Sequence, residues 1–176
     1  MAVARELIRE MGTDSFTLGK LAQRAGVTKP LVYDHFGDRS GVLAELYREF
    51  EEHQRQTLAL ALTNTAPELP AVAGVIADAH IECCLAEGQE LAAVVAALEG
   101  SPALSRLRQE AEDAYLVMCR KALEPFSGPM DTAGLQAVAG AGDALARSAL
   151  AGRISSERAR QALGHVITSV ATQENS

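Results

Sequence analysis

The sequence has no tryptophan, and aromatic residues make up only 4% of its 176 positions. A core this poor in rings has to be filled by aliphatic and small side chains, and abundant alanine points to closely spaced helices. Alternating β-branched runs are also missing, which argues against sheets. Apolar stretches such as Leu91 to Leu98 fall far short of the ~20 residues that a membrane-spanning helix needs. Met1 to Met11 mixes Arg5, Glu6, Arg9 and Glu10 with its apolar residues, so it lacks the uninterrupted core of a signal peptide. A cytoplasmic chain with no membrane partner is the expectation.

Cysteine is scarce as well. Cys83, Cys84 and Cys119 are odd in number and two are adjacent, which argues against a disulfide framework and for reduced thiols. No glycine-rich phosphate loop, strand-to-helix nucleophile turn or HExxH pattern is present, so no catalytic residue, enzyme activity or cofactor is expected. His80, Cys83, Cys84 and Glu87 have donor atoms at helical spacing. Adjacent cysteines diverge by about 100° on a helix, however, and no second ligand pair accompanies them. No metal site is therefore assigned.

The net charge of -7 would ordinarily count against nucleic acid, but it is unevenly distributed. Residues 1–48 carry seven Lys/Arg against six Asp/Glu, whereas residues 49–176 carry nine against seventeen. A nearly neutral head therefore precedes an acidic body, and we divide the chain there into domains 1–48 and 49–176.

Within the head, Ala4, Leu7, Ile8 and Met11 define one face of a helix over Ala2 to Met11, which Gly12 ends. Thr17 is placed to cap a short helix over Leu18 to Ala25, with Phe16 packing on Leu21 as a staple. After Gly26, Thr28 is placed to cap a third helix with Pro30 in its first turn. Asp38 caps a fourth, whose stripe of Leu43, Leu46, Tyr47 and Phe50 leads on to about Leu62. Short helix, glycine turn and capped short helix, with Val27 and Val32 expected to bury between them, meet the needs of a helix-turn-helix. If the third helix enters a major groove, Thr28 and Lys29 lie at its leading end, Tyr33 and His35 extend to groove or backbone, and Thr17 and Arg39 clamp flanking phosphates. Each of these side chains also has a plainer explanation as a cap, a core ring or a solvated charge.

The stretch LGKLAQRAGVTKPLVYDHFGDRSGVLAEL, Leu18 to Leu46, resembles the TetR-like family of transcriptional regulators. The resemblance implies an all-α fold in which a helix-turn-helix head precedes an effector-binding and dimerisation body. Thr28 and Lys29 match the family's Ser/Thr-Lys pair, Tyr33 a recurrent DNA-contacting tyrosine, His35 a common second tyrosine and Arg39 a backbone-contacting lysine. Pro30 stands where glycine or another small residue is frequent and Asp34 where histidine is frequent. Asp34 cannot grip phosphate, although it can accept from a cytosine amino group. The chain also starts inside the usual first helix, so either non-specific affinity is modest or the native start lies upstream of Met1. The implied function is a ligand-responsive regulator, a repressor, that binds palindromic double-stranded DNA as a homodimer. The alternatives are a helical interaction module without DNA binding or, more distantly, an enzyme.

The body is expected to hold helices over about Ala71 to Ala86, Gln89 to Leu98, Ala103 to Leu123, Thr132 to Ala151 and Ser156 to Thr172. Breaks are expected at Gly88, Gly100-Ser101-Pro102, Glu124 to Met130 and Gly152. Leu135, Val138, Gly142, Leu145 and Ala149, then Ala159, Leu163, Val166 and Val170, form two seams with small residues. An intrachain hairpin core and a dimer interface both fit such seams. ALARSALAGRISSERARQAL, Ala144 to Leu163, is similar to the family's last two helices and favours the interface. His80, Cys84, Tyr115, Met118 and Cys119 are candidates to line a mainly apolar site for a small-molecule effector, though packing explains each of them too.

Overall fold

A computed structural model describes residues 1–99 and 102–173, and the expected break at Gly100-Ser101 lies outside the described residues. The described residues form helices with no strand: α1 (Ala2–Ser15), α2 (Leu18–Ala25), α3 (Lys29–Phe36), α4 (Arg39–Thr63), α5 (Leu69–Glu99), α6 (Pro102–Ser127), α7 (Thr132–Leu150) and α8 (Ser156–Gln173). They divide into two compact units. The first joins Met1–Glu51 with Glu87–Ala111, and the second joins Glu52–Ala86 with Glu112–Ser176.

In the first unit α1 is interrupted at Gly12, whose φ of 74° and ψ of 167° break the helix before Ser15. Phe16, Leu18, Leu21 and Ala22 bury with Ala4, Leu7 and Ile8, which gives the short α2 the tertiary support that eight residues need. Thr17 Oγ1 accepts from the Lys20 N–H at 3.3 Å, and Gly26 adopts a left-handed conformation at the other end. Thr28 occupies the N-cap of α3, but its hydroxyl makes no capping bond. Val32 is buried while Val27 stays 41% exposed, which corrects the expectation that both are covered. The turn places Val27 at the rim, and only the residue further along the helix points inward.

Asp38 Oδ1 accepts from Gly41 N at 2.9 Å and starts α4. Val42, Leu43, Leu46, Tyr47 and Phe50 then bury in turn. A Cβ on Gly41 would stand 1.9 Å from the Phe36 carbonyl oxygen, so this turn tolerates no larger residue. Arg5 of the same unit pairs with Glu49 at 3.4 Å and with Glu87.

The second unit is built on the buried residues Leu58, Ile76, Ile81, Leu123, Leu135, Leu163 and Ile167. Leu69–Gly88 is long and apolar enough to cross a membrane by composition, which corrects the expectation that no stretch reaches that length. Ile76, Ala77, Ile81 and Cys83 on it face the protein core, while Arg160 pairs with Glu82 at 2.7 Å and with Asp78 at 3.7 Å. It is amphipathic in the manner of a core helix.

Gly88 breaks α5 with a φ of 63°. The expected break at Glu124 is corrected: α6 continues through Pro125 to Ser127, and Gly128 follows with a φ of 68°. A proline in the last turn removes only one ladder bond there, and the left-handed glycine ends the helix. Asp131 Oδ1 caps α7 through Gly134 N at 2.6 Å, and Ser155 Oγ caps α8 through Arg158 N at 3.1 Å. α7 and α8 lie against each other across the short turn at Gly152.

Candidate functional site

The candidate surface of the head is the outer side of α3 and the start of α2. Lys29 and Tyr33 are exposed, and neither the ammonium nor the phenol has a hydrogen-bond or ionic partner among the described residues. Half of Tyr33 is open to solvent, at 50%. The Lys29 Cε lies 3.6 Å from where a Cβ on Gly19 would stand, and Thr17 Oγ1 lies 3.9 Å from that same point. The lysine stem thus runs past the start of α2, on the side of the Thr17 hydroxyl, and a Cβ at Gly19 would make only ordinary contact with it. An ammonium, a hydroxyl and the leading N–H groups of α2 come together there, a combination suited to a phosphate.

His35 is also exposed, with its ring edge-on to Phe36 at 4.5 Å between centroids. Arg39 sits differently. Its Nε and Nη2 donate to the Thr13 carbonyl at 2.9 and 2.6 Å, and Nη2 lies 3.7 Å from Asp14 Oδ1. The guanidinium therefore ties the end of α1 to the start of α4, which the sequence could not reveal because Thr13 and Arg39 are far apart along the chain.

The second unit contains a polar cluster centred on His80. Gln54 Nε2 lies 3.1 Å from the His80 Nδ1. With the amide donating, Nδ1 accepts and the ring proton resides on Nε2. That nitrogen is 3.7 Å from Asp143 Oδ1 and 3.9 Å from the Cys84 Sγ. The ring of Tyr115 lies 5.9 Å from the imidazole. Its hydroxyl is buried without a hydrogen-bond partner of ordinary geometry, with the Cys119 thiol beside it.

Burial lowers the pKa of His80 below its ordinary value, and the Asp143 carboxylate only partly offsets this. Burial likewise raises the Tyr115 phenol well above its usual value and pushes the Cys119 thiol up to about 12. The imidazole, the phenol and the Cys119 thiol are thus neutral at pH 7.

His80, Cys84, Tyr115 and Cys119 come together, and Met118 is half-buried against the same core. The reading missed Gln54, Gly142 and Asp143 as members of this cluster. Gln54 had a signal: it continues the buried stripe of α4 between Phe50 and Leu58, where a polar residue needs a partner. Gly142 lies so close that a Cβ would be 2.7 Å from the His80 Nε2. Among the described residues no group of three or more donors could hold a metal ion, and Glu87 pairs with Arg5.

Of the seam residues, Leu135, Val138, Gly142, Ala159 and Leu163 are buried within the single chain. They are covered by the chain's own helices. Leu145, Ala149, Val166 and Val170 are only partly covered.

Residues 1–46 match the family described as bacterial regulatory proteins, tetR family. No curated protein sequence matches the chain. Solved structures are similar over nearly its whole length. The fatty acid degradation regulator FadR from Bacillus halodurans superposes with a TM-score of 0.77 at 18% identity, over 95% of this chain and 91% of that one. The TetR family transcriptional regulator PfmR from Thermus thermophilus does so with a TM-score of 0.66 at 21% identity, over 94% of each chain. A TetR-like transcriptional regulator from a Rhodococcus species does so with a TM-score of 0.70 at 17% identity, over 94% of this chain and 90% of that one. The first 46 residues are therefore similar to the tetR family of bacterial regulatory proteins, and the chain shares the fold of TetR-family transcriptional regulators.

Proposed function

We propose that the chain is a ligand-responsive repressor that binds palindromic operator DNA as a homodimer in the cytoplasm. The observation that carries the DNA reading is the exposed Lys29 and Tyr33 of α3, without partners among the described residues, beside the Thr17 cap of α2. Residues 1–48 supply this contact in the proposal, with Thr28 at the leading end of α3 and His35 as a flanking contact. Arg39 adds its remaining guanidinium nitrogen, held in place by the Thr13 carbonyl.

Residues 49–176 supply effector binding and dimerisation. The partly covered Leu145, Ala149, Val166 and Val170 support a helical dimer contact through α7 and α8. A two-fold axis there would give the molecule two heads for two half-sites. The effector reading rests on His80, Cys84, Tyr115, Met118 and Cys119. A neutral apolar ligand with one hydrogen-bond acceptor suits the Tyr115 hydroxyl and the His80 Nε2–H, whereas a carboxylate would meet Asp143. Because Gln54 on α4 holds the imidazole, a ligand that prefers one arrangement of this pair would bias α4 and with it the head.

The test is fluorescence anisotropy of the full chain on duplexes from the promoter beside its own gene, at several salt concentrations. Sequence-selective binding that falls with salt, together with a dimer by light scattering, is expected. A monomer at DNA-binding concentrations, or equal affinity for all duplexes, would overturn the proposal.

A further inference from the structure

Leu31 is 57% exposed, the most open of the large apolar side chains in the head. Stepping 100° per residue from the buried Val32, α3 turns Pro30 and Asp34 outward, with Leu31 on the flank beside Asp34 and Lys29 and Tyr33 on the opposite flank. All of these except Val32 are exposed. Asp34 has no hydrogen bond or ion pair among the described residues. After Lys29 the helix carries no lysine or arginine, and Asp34 is its one carboxylate. The usual pairing of a basic side chain with guanine is therefore absent from the middle of this surface. What it offers is an apolar branched side chain and a hydrogen-bond acceptor.

From these features we infer that α3 distinguishes its operator through pyrimidine groups of the major groove: Leu31 packs on the C5-methyl of a thymine and Asp34 accepts from the N4 amino group of a cytosine. The inference rests on the reading that α3 enters DNA, and it specifies the base chemistry of that contact. Only thymine presents a methyl in the groove, and only cytosine and adenine present amino donors there. Water gains nothing from an exposed leucine, whereas a methyl group displaces water from it. Leu31 and Asp34 are three residues apart, so their Cβ atoms lie about 5–6 Å from each other. That is one to two base-pair steps of roughly 3.4 Å, and it sets the thymine and the cytosine next to or one pair away from each other in each half-site.

The experiment selects duplexes from a random pool with the full chain and then replaces each thymine of the recovered site by deoxyuridine, which lacks only the methyl. One thymine per half-site should respond, with affinity falling about four-fold for the lost methyl contact. Leu31→Ala should abolish that response, and Leu31→Met, which keeps an apolar contact, should retain it. Asp34→Asn should move the preferred base at the neighbouring position from cytosine towards adenine, since an amide pairs with adenine. Circular dichroism and thermal unfolding should match the parent, because both side chains face solvent. A selected site at which no thymine responds, or a response that survives in Leu31→Ala, overturns this inference and leaves the DNA reading standing. Failure to select any duplex defeats the DNA reading and the inference with it.

Discussion

The head and the body use polar side chains in opposite ways. In the head, Lys29 and Tyr33 point outward without partners among the described residues. In the body, Gln54, His80 and Tyr115 point inward, and burial holds the imidazole and the phenol neutral. A polymeric anion such as DNA can meet only the first kind of surface, where free donors remain solvated until they reach phosphate. A small neutral ligand suits the second, where a donor already stripped of water interacts more strongly. The same division explains the charge distribution, since an acidic body is compatible with DNA binding when its carboxylates are not part of the reading surface.

The contrast breaks most severely at Gly41. A Cβ there would collide with the Phe36 carbonyl oxygen at 1.9 Å, so Gly41→Ala should destabilise the head by about 3 kcal/mol or more. Hydrogen exchange should show amides of α2 and α3 losing protection while those of α7 and α8 keep theirs. Equal loss in both units would mean that the head and body do not fold as separable parts.

Gly142→Ala is the corresponding change in the body. Its Cβ would come within 2.7 Å of the His80 Nε2, and overpacking of this kind costs roughly 1–3 kcal/mol. Urea unfolding should register that loss. Base preference in selected duplexes should remain that of the parent, because the reading surface is untouched.

Tyr33→Phe sharpens the head alone. It deletes one exposed hydroxyl and keeps the ring, so overall stability should change by less than about 0.5 kcal/mol. Operator affinity should drop by about 1 kcal/mol, the typical worth of a hydrogen bond. Unchanged anisotropy titrations would remove Tyr33 from the contact.

The smallest effect is a pH dependence from His80. Its folded pKa lies below the unfolded value, so its contribution is fully present above the unfolded pKa of about 6.5 and is lost as pH falls below it. A single proton changes the slope by at most about 1.4 kcal/mol per pH unit. Urea midpoints between pH 7.5 and 5 should fall less steeply for His80→Gln than for the parent chain. Identical slopes would mean that the imidazole is solvated.

Most of the head was legible in advance because its signals are local. Gly12, Gly26 and Asp38 act on the residues beside them, and a run of apolar residues at helical spacing leaves little choice of buried face. Thr28 and Val27 misled for a tertiary reason: cap position does not guarantee a cap bond, and the rim of a turn can face water. Pro125 misled because a proline's cost depends on how close the helix is to its end.

The sequence by itself determined an all-helical chain, a helix-turn-helix head with its capped turns, and a set of chemically suggestive residues in the body. These follow from interactions within one or two turns of helix, where spacing along the chain and distance in space are nearly the same thing. The tertiary structure decided which of those residues meet. It brought Gln54, His80, Tyr115 and Asp143 together from four helices, turned Arg39 onto the Thr13 carbonyl, and covered Leu135 and Leu163 within the chain's own core. Such contacts join residues distant in sequence. They depend on how close two helices can approach, and at Gly142 that distance is set by a missing Cβ against an imidazole ring.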